Sequence, residues 1–209
     1  MISRREIPCL LAIVVATGLW SWLDAHDPLI WWMESLPVWI GLALLFATWR
    51  PFPFTRLACW LMAFHALVLL VGAHYTYARV PAGDWFAQWL DLERNHYDRF
   101  AHVVQGFVPA ILAREILMRL KVVRTPGWLF FLVCCFCLAF SALYEIIEWQ
   151  SAVWGGDSSL DFLGVQGDIW DAQWDMTLAL LGAVAAQLLL AGGHDRQLAA
   201  LAGIPRTID

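Results

Sequence analysis

GWLFFLVCCFCLAFSALYEIIEW, residues 127–149, decides the fold. From Gly127 to Tyr144 it carries no charge, and it is long enough to cross a hydrocarbon core, which takes ~20 apolar residues. It then closes on two acids, Glu145 and Glu148, that an ordinary lipid-facing helix would not tolerate. Comparable segments recur along the chain at about 7–23, 36–49, 57–78, 100–120 and 172–192. The composition agrees: 61% of the 209 residues are hydrophobic, 14 are tryptophan, and the mean hydropathy is +0.62. Soluble domains use roughly half apolar residues. Ten-residue alternation of apolar and polar residues is absent, which excludes a membrane β-barrel. The expected fold is all-α, a polytopic bundle of about six transmembrane helices in a single integral membrane domain spanning 1–209. Segment 36–49 is short and bounded by Pro37 and Pro51, so it is expected to tilt or lie partly re-entrant. The first segment follows Arg4 and Arg5 and lacks a small-residue cleavage site, so an uncleaved helix is expected.

Lysine and arginine set the orientation. Arg4 and Arg5, then Arg50 and Arg56, then Arg119, Lys121 and Arg124, and finally Arg196 and Arg206 fall on one side. The alternate connections are acidic, with Asp24, Asp27 and Glu34, then Asp84, Asp91 and Glu93, then Asp157, Asp161 and Asp168. Both termini are therefore expected in the cytoplasm. The net charge of −5 reports an acidic outer face, and no basic groove suggests a nucleic-acid partner. The five cysteines lie inside apolar segments. Cys134 and Cys137 share a helix face and would suit a soft metal, but helix packing explains them more simply.

With this topology the embedded polar residues converge. Asp98 and His102 open one helix four residues apart, Glu145 and Glu148 close another three apart, and Asp171 and Asp175 open the last four apart, each pair on one face. Gln105 continues the stripe of His102, and His74 and Tyr77 end a neighbouring segment at the same level. Carboxylates crowded at membrane depth cannot all be ionised and unpaired: either some are protonated or a cation sits among them. Imidazole with carboxylates suits a divalent ion such as Zn²⁺, Mn²⁺ or Mg²⁺. The expected metal ligands are His102, Glu145, Asp171 and Asp175. Asp98 or Glu148 is the candidate general base, and Arg99, His74, Tyr77 and Gln105 are candidate substrate contacts. The competing structural readings are that Asp98 and Asp171 are first-turn acids favoured by the helix dipole and that Asp168 caps a helix. His65 would be a hydrogen-bonded core histidine, Glu115 a partner of Arg119, and the tryptophans interface anchors. The glycine-rich loop 150–167 is either a flap or an ordinary surface loop.

Three stretches carry a resemblance: His74-Tyr75-Thr76-Tyr77-Ala78, Asn95-His96-Tyr97-Asp98-Arg99-Phe100-Ala101-His102, and Gly167-Asp168-Ile169-Trp170-Asp171-Ala172-Gln173-Trp174-Asp175-Met176. They resemble the signatures of YjdF-type bacterial inner-membrane proteins, over essentially the whole chain. The resemblance implies a six-helix protein of the inner (plasma) membrane, without an assigned function. At the level of pattern, Asp98-Arg99-x-x-His102 with the later acids is also similar to VanZ-like proteins, which are associated with glycopeptide resistance. Three functions compete. The first is a metal-dependent enzyme acting on membrane lipids or lipid-linked envelope precursors from the outer leaflet. The second is a transporter or lipid-binding protein using protonatable carboxylates, and the third a structural membrane protein. A carrier needs polar groups toward both faces, whereas the inner halves of these segments offer little beyond Arg114 and Glu115.

Overall fold

The computed structural model describes residues 2, 3, 5–155 and 165–202. Arg4, Arg206, Asp157, Asp161 and the 156–164 part of the glycine-rich loop lie outside the described residues, so the flap reading does too. Among the described residues the elements are α1 (Glu6–Trp22), α2 (Pro28–Thr48), α3 (Arg56–Tyr75), a 3₁₀ turn (Tyr77–Arg79), α4 (Pro81–Leu90), α5 (Tyr97–Arg119), α6 (Pro126–Gly155) and α7 (Asp171–Ala202), with no strand. Helices α2, α3, α5, α6 and α7 are long and apolar enough to cross a membrane, and α1 is a shorter apolar helix. The fold is a polytopic helical membrane bundle.

Two boundaries differ from the sequence reading. Segment 36–49 is the second half of a 21-residue helix and so is not short. Asp27 caps it by accepting from the Leu29 and Ile30 amides at 2.7 and 3.0 Å, and Pro28 starts it where a missing N–H costs nothing. Pro37 lies within the helix instead of bounding it. The last helix likewise continues nine residues past Gly193, carrying the mixed-charge tail into the bundle. The amphipathic helix α4 was not expected; its Trp85 and Trp89 are 70% and 78% exposed.

Packing divides the helices into two groups. Helix α3 packs on α1 and α2, while α5, α6 and α7 pack on one another, and α3 joins the groups through α5. The first group is pinned by Ser21, whose hydroxyl accepts from Trp31 Nε1 at 2.8 Å and donates to the Leu70 carbonyl at 2.6 Å. Trp31 is thus a core residue, 3% exposed, and not the interface anchor that its place near a helix end suggests. The tightest contact is between α5 and α7. Gly106 lies against the Ala179 carbonyl and Gly182 against that of Val103, so close that a Cβ at either position would collide with backbone. In lipid, where helices gain little from hydrophobic burial, such small-residue contact supplies the packing. It runs α5 and α7 side by side in the same direction, placing their polar first turns together.

Cys137 donates to the Gly106 carbonyl at 3.5 Å, and Cys134 takes a contact from Gln187 at 3.4 Å. These cysteines serve helix packing.

Candidate functional site

The loops preceding α5 and α7 are tied together before either helix begins. Gln166 accepts from the Asn95 amide at 3.0 Å and donates to the Asn95 carbonyl at 2.9 Å. The buried Asn95 amide group donates to the Val80 carbonyl and Asp84 Oδ1, and its oxygen accepts from the Tyr97 amide. Its carboxamide lies against Gly83, where no Cβ fits. This clasp fixes how the first turns of α5 and α7 meet, with Gln166 and Gly167 both at positive φ.

Two layers follow. The outer one is salt-bridged. Arg94 Nη1 meets Asp171 Oδ1 at 2.6 Å and Asp168 at 3.7 Å, and Arg99 Nη2 meets Asp168 at 2.5 Å. Arg99 also lies over the Trp174 ring, 5.4 Å from its centroid. The Trp170 amide, and then the Arg99 and Arg94 guanidiniums, hold the Asp168 carboxyl below the usual carboxylate range. Burial, with Arg99 and Arg94 nearby, lowers the pKa of His96.

The inner layer holds the imidazole. His102 Nε2 lies 3.6 Å from Asp98 Oδ1, 3.8 Å from Glu145 Oε1 and 4.0 Å from Asp175 Oδ2. These separations are too long for hydrogen bonds. They are close to the ~3.3 Å between neighbouring ligands of a tetrahedral ion with ~2.05 Å bonds. Asp98, His102 and Asp175 are each buried, and one ligating atom from each lies within 4.8 Å of the others. Glu145 Oε1 and Asp175 Oδ1 have no hydrogen-bond partner. Buried carboxylate oxygens without donors cost several kcal/mol unless a proton or cation satisfies them. The donor set, one imidazole and three carboxylates, fits a borderline or hard divalent ion.

Behind His102 a cavity of about 80 Å³ reaches into the bundle. Glu148, Gln105 and Tyr77, expected at the site, line it. So do Glu34 and His65, which were not. Glu34 reads in sequence as a loop acid, but the earlier start of α2 carries it inside the bundle, where it is 2% exposed. The capping pair Asp27-Pro28 was the signal that would have placed it there. His65 is not the hydrogen-bonded core histidine expected, since its Nε2 has no partner.

The expected residues thus separate. His102, Glu145 and Asp175 come together, joined by Asp98. Asp171 is held by Arg94, a residue not among those expected at the site. Arg99 is held by Asp168 instead of standing free for a headgroup. His74 is not at the site: its Nδ1 lies 3.1 Å from the Ser21 carbonyl and its ring stacks on Trp20 at 4.4 Å, so it fastens α3 to α1.

A buried ionisable cluster within a multi-pass helical bundle marks a membrane protein whose polar interior needs a functional reason. The comparisons agree on the class. Residues 7–196 match the family described as "Predicted membrane protein (DUF2238)", and the chain belongs to that family. It is 50% identical over 198 residues, 95% of this chain and 93% of the other, to "Inner membrane protein YjdF" of Escherichia coli (strain K12). The chain is a multi-pass inner-membrane protein. No solved structure matches it, and the pattern-level similarity to VanZ-like proteins finds no support in either match.

Proposed function

We propose that this protein is a metal-dependent enzyme embedded in the membrane, acting on a lipid or lipid-linked envelope precursor from the outer leaflet. The observation that carries the reading is the buried Asp98–His102–Asp175 group, with ligating atoms within 4.8 Å of one another and Glu145 beside it. A divalent ion there would act as a Lewis acid on a phosphoryl or acyl oxygen and lower the pKa of a water. Asp98, His102, Glu145 and Asp175 would hold the ion. Glu148, one helical turn from Glu145 and lining the cavity, would take a proton as general base. Arg94 and Arg99 would bind an anionic headgroup by exchanging Asp171 and Asp168 for it.

The charge distribution supports an outward-facing site. Arg50, Arg56, Arg119, Lys121 and Arg124 cluster in the connections at the end of the bundle away from His102, as the positive-inside rule requires of a cytoplasmic face. At that end Glu115 is fully paired. It accepts from the Thr55 amide and hydroxyl, from Arg119 and from His194. A carrier alternating between faces would want protonatable groups there with room to exchange partners, and this cluster has none to spare.

The test is the metal content of detergent-purified protein after exhaustive dialysis, beside a variant carrying Asp98→Asn, His102→Ala and Asp175→Asn. The expected result is close to one ion per chain in the wild type, lost in a variant with cooperative unfolding retained. Absence of metal from the wild type, including after incubation with Zn²⁺, Mn²⁺ and Mg²⁺, would refute the proposal.

A further inference from the structure

The cavity behind His102 shares Asp98 and His102 with the group of ligating atoms, but the rest of its lining is different. Its charged lining consists of carboxyls and imidazoles: Glu34, Asp98 and Glu148, with His65 and His102. No lysine or arginine lines it. The three carboxyls interact electrostatically across it, and Tyr77 and Tyr144 line it with them. Glu34 points to a ligand. It is 2% exposed, one carboxyl oxygen faces the Tyr77 amide, and the other, Oε2, has no partner. These acids do not converge on a point. Among the described residues, Asp98–His102–Asp175 is the one group arranged for a metal ion, and it includes neither Glu34 nor Glu148.

Carboxylates spread over the walls of a cavity also lined by tyrosines suit an organic ammonium group, whose three N–H donors can be met from several sides, better than a metal ion that needs its ligands gathered within one coordination sphere. A cavity of ~150 Å³ takes the six carbons of benzene, so one of about 80 Å³ holds some three heavy atoms, the size of an aminoethyl group. Helix geometry supplies a way in. Glu34 and Pro37 on α2 face Phe140, Tyr144 and Glu148 on α6 across the cavity. Yet α2 packs chiefly on α3, and α6 on α5 and α7, so the two walls share little contact with each other. Their outward faces are apolar, with Leu36, Ile40, Phe140 and Leu143 about half exposed.

We infer that this cavity binds a primary ammonium group, with Glu34 and Glu148 as its counter-ions and Tyr77 and Tyr144 as its aromatic walls. The group would reach it from the bilayer between α2 and α6. It has two possible sources with the same chemistry, the headgroup of an aminoethyl phospholipid and a free small amine. The first would place a headgroup phosphate toward Arg94 and Arg99. As a statement about substrate the inference rests on the proposed function; as a binding site it stands without it.

The test uses the full-length protein in detergent. Ethylammonium chloride is titrated while Tm is followed, with sodium chloride at equal ionic strength and ethanol as controls. In parallel, protein in nanodiscs of mixed phosphatidylethanolamine and phosphatidylglycerol is released, and its retained lipid identified by native mass spectrometry. The expected result is a saturable rise in Tm with ethylammonium alone, or retention of phosphatidylethanolamine with a preference of about tenfold, the scale of one charge-assisted contact. Either response should be lost in Glu34→Gln and weakened in Glu148→Gln. Response to the free amine only assigns a soluble ligand, and retention of the lipid only assigns a headgroup. Neither response in the wild type overturns the inference, as does an undiminished response in both variants. Should Glu34→Gln fail to fold, the wild-type contrast between ethylammonium and ethanol and the Glu148→Gln variant still decide. Metal content is measured on the same samples. A metal-free protein that binds ethylammonium removes the metal reading and leaves the cavity assignment standing; a metal-loaded protein without the response does the reverse.

Discussion

Replacing Gly106 by alanine adds one methyl group outside the candidate site, and its expected effect on that site can be worked from helix geometry. The new Cβ would overlap the Ala179 carbonyl oxygen, which is backbone and cannot rotate aside. Close-packed helices would have to part by roughly 1 Å or more, at about 1–3 kcal/mol. One turn away, His102 Nε2 is 4.0 Å from Asp175 Oδ2. Adding that displacement takes the pair to ~5 Å, beyond the ~4.2 Å spanned by two ligands on opposite sides of an ion with ~2.1 Å bonds. Gly106→Ala should therefore lower Tm by several degrees and reduce metal content together, although it touches no ligand. The assay is Tm and elemental analysis on the same detergent preparation. Gly41→Ala is the control, because a Cβ at Gly41 meets nothing within 4 Å. A Gly106→Ala protein with lower Tm but full metal content would refute the claim that the α5–α7 spacing sets the site. Unchanged Tm would refute the packing argument itself.

Glu115→Ala should be among the most damaging single changes, costing about 3–5 kcal/mol, because it strands the buried His194, the Thr55 amide and hydroxyl, and Arg119. Denaturant or SDS unfolding would show it, and a loss under 1 kcal/mol would contradict the network. For Asp168, a carboxyl held below its ordinary value stabilises the fold above the unfolded pKa near ~3.9 and loses that contribution as pH falls through the folded one. Wild type should thus exceed Asp168→Asn in Tm at neutral pH, with the gap closing below about pH 4. A gap that stays constant down to pH 3 would show that the Trp170, Arg99 and Arg94 contacts do not favour the ionised form.

The class of the fold was legible because membrane insertion is read from segment length and apolarity, which are local properties. The pairing of polar residues on shared faces was equally local. Asp98 with His102 and Asp171 with Asp175 are four apart, and a helix with 3.6 residues per turn stacks such positions whatever surrounds them. Boundaries were less legible. Glu34 was misplaced because the Trp31-Trp32-Met33-Glu34-Ser35 stretch reads as an interfacial loop unless the Asp27-Pro28 cap is taken as the helix start. The fully buried His194 was missed because it falls in a tail that reads as mixed in charge.

Partner choice was a different matter. Asp98 and Asp171 both lie in the first turn of their helices, and nothing within either helix states that Arg94 would take Asp171 while Asp98 turns to His102. That division depends on the Asn95–Gln166 clasp and on the glycine contacts that bring α5 against α7, both joining residues some seventy positions apart. Hydropathy and helical periodicity describe one segment at a time, so they established a helical membrane bundle with polar faces. Which faces meet, and at what separation, is set by backbone contact between segments, and from that contact come the ligating group around His102 and the acidic cavity behind it.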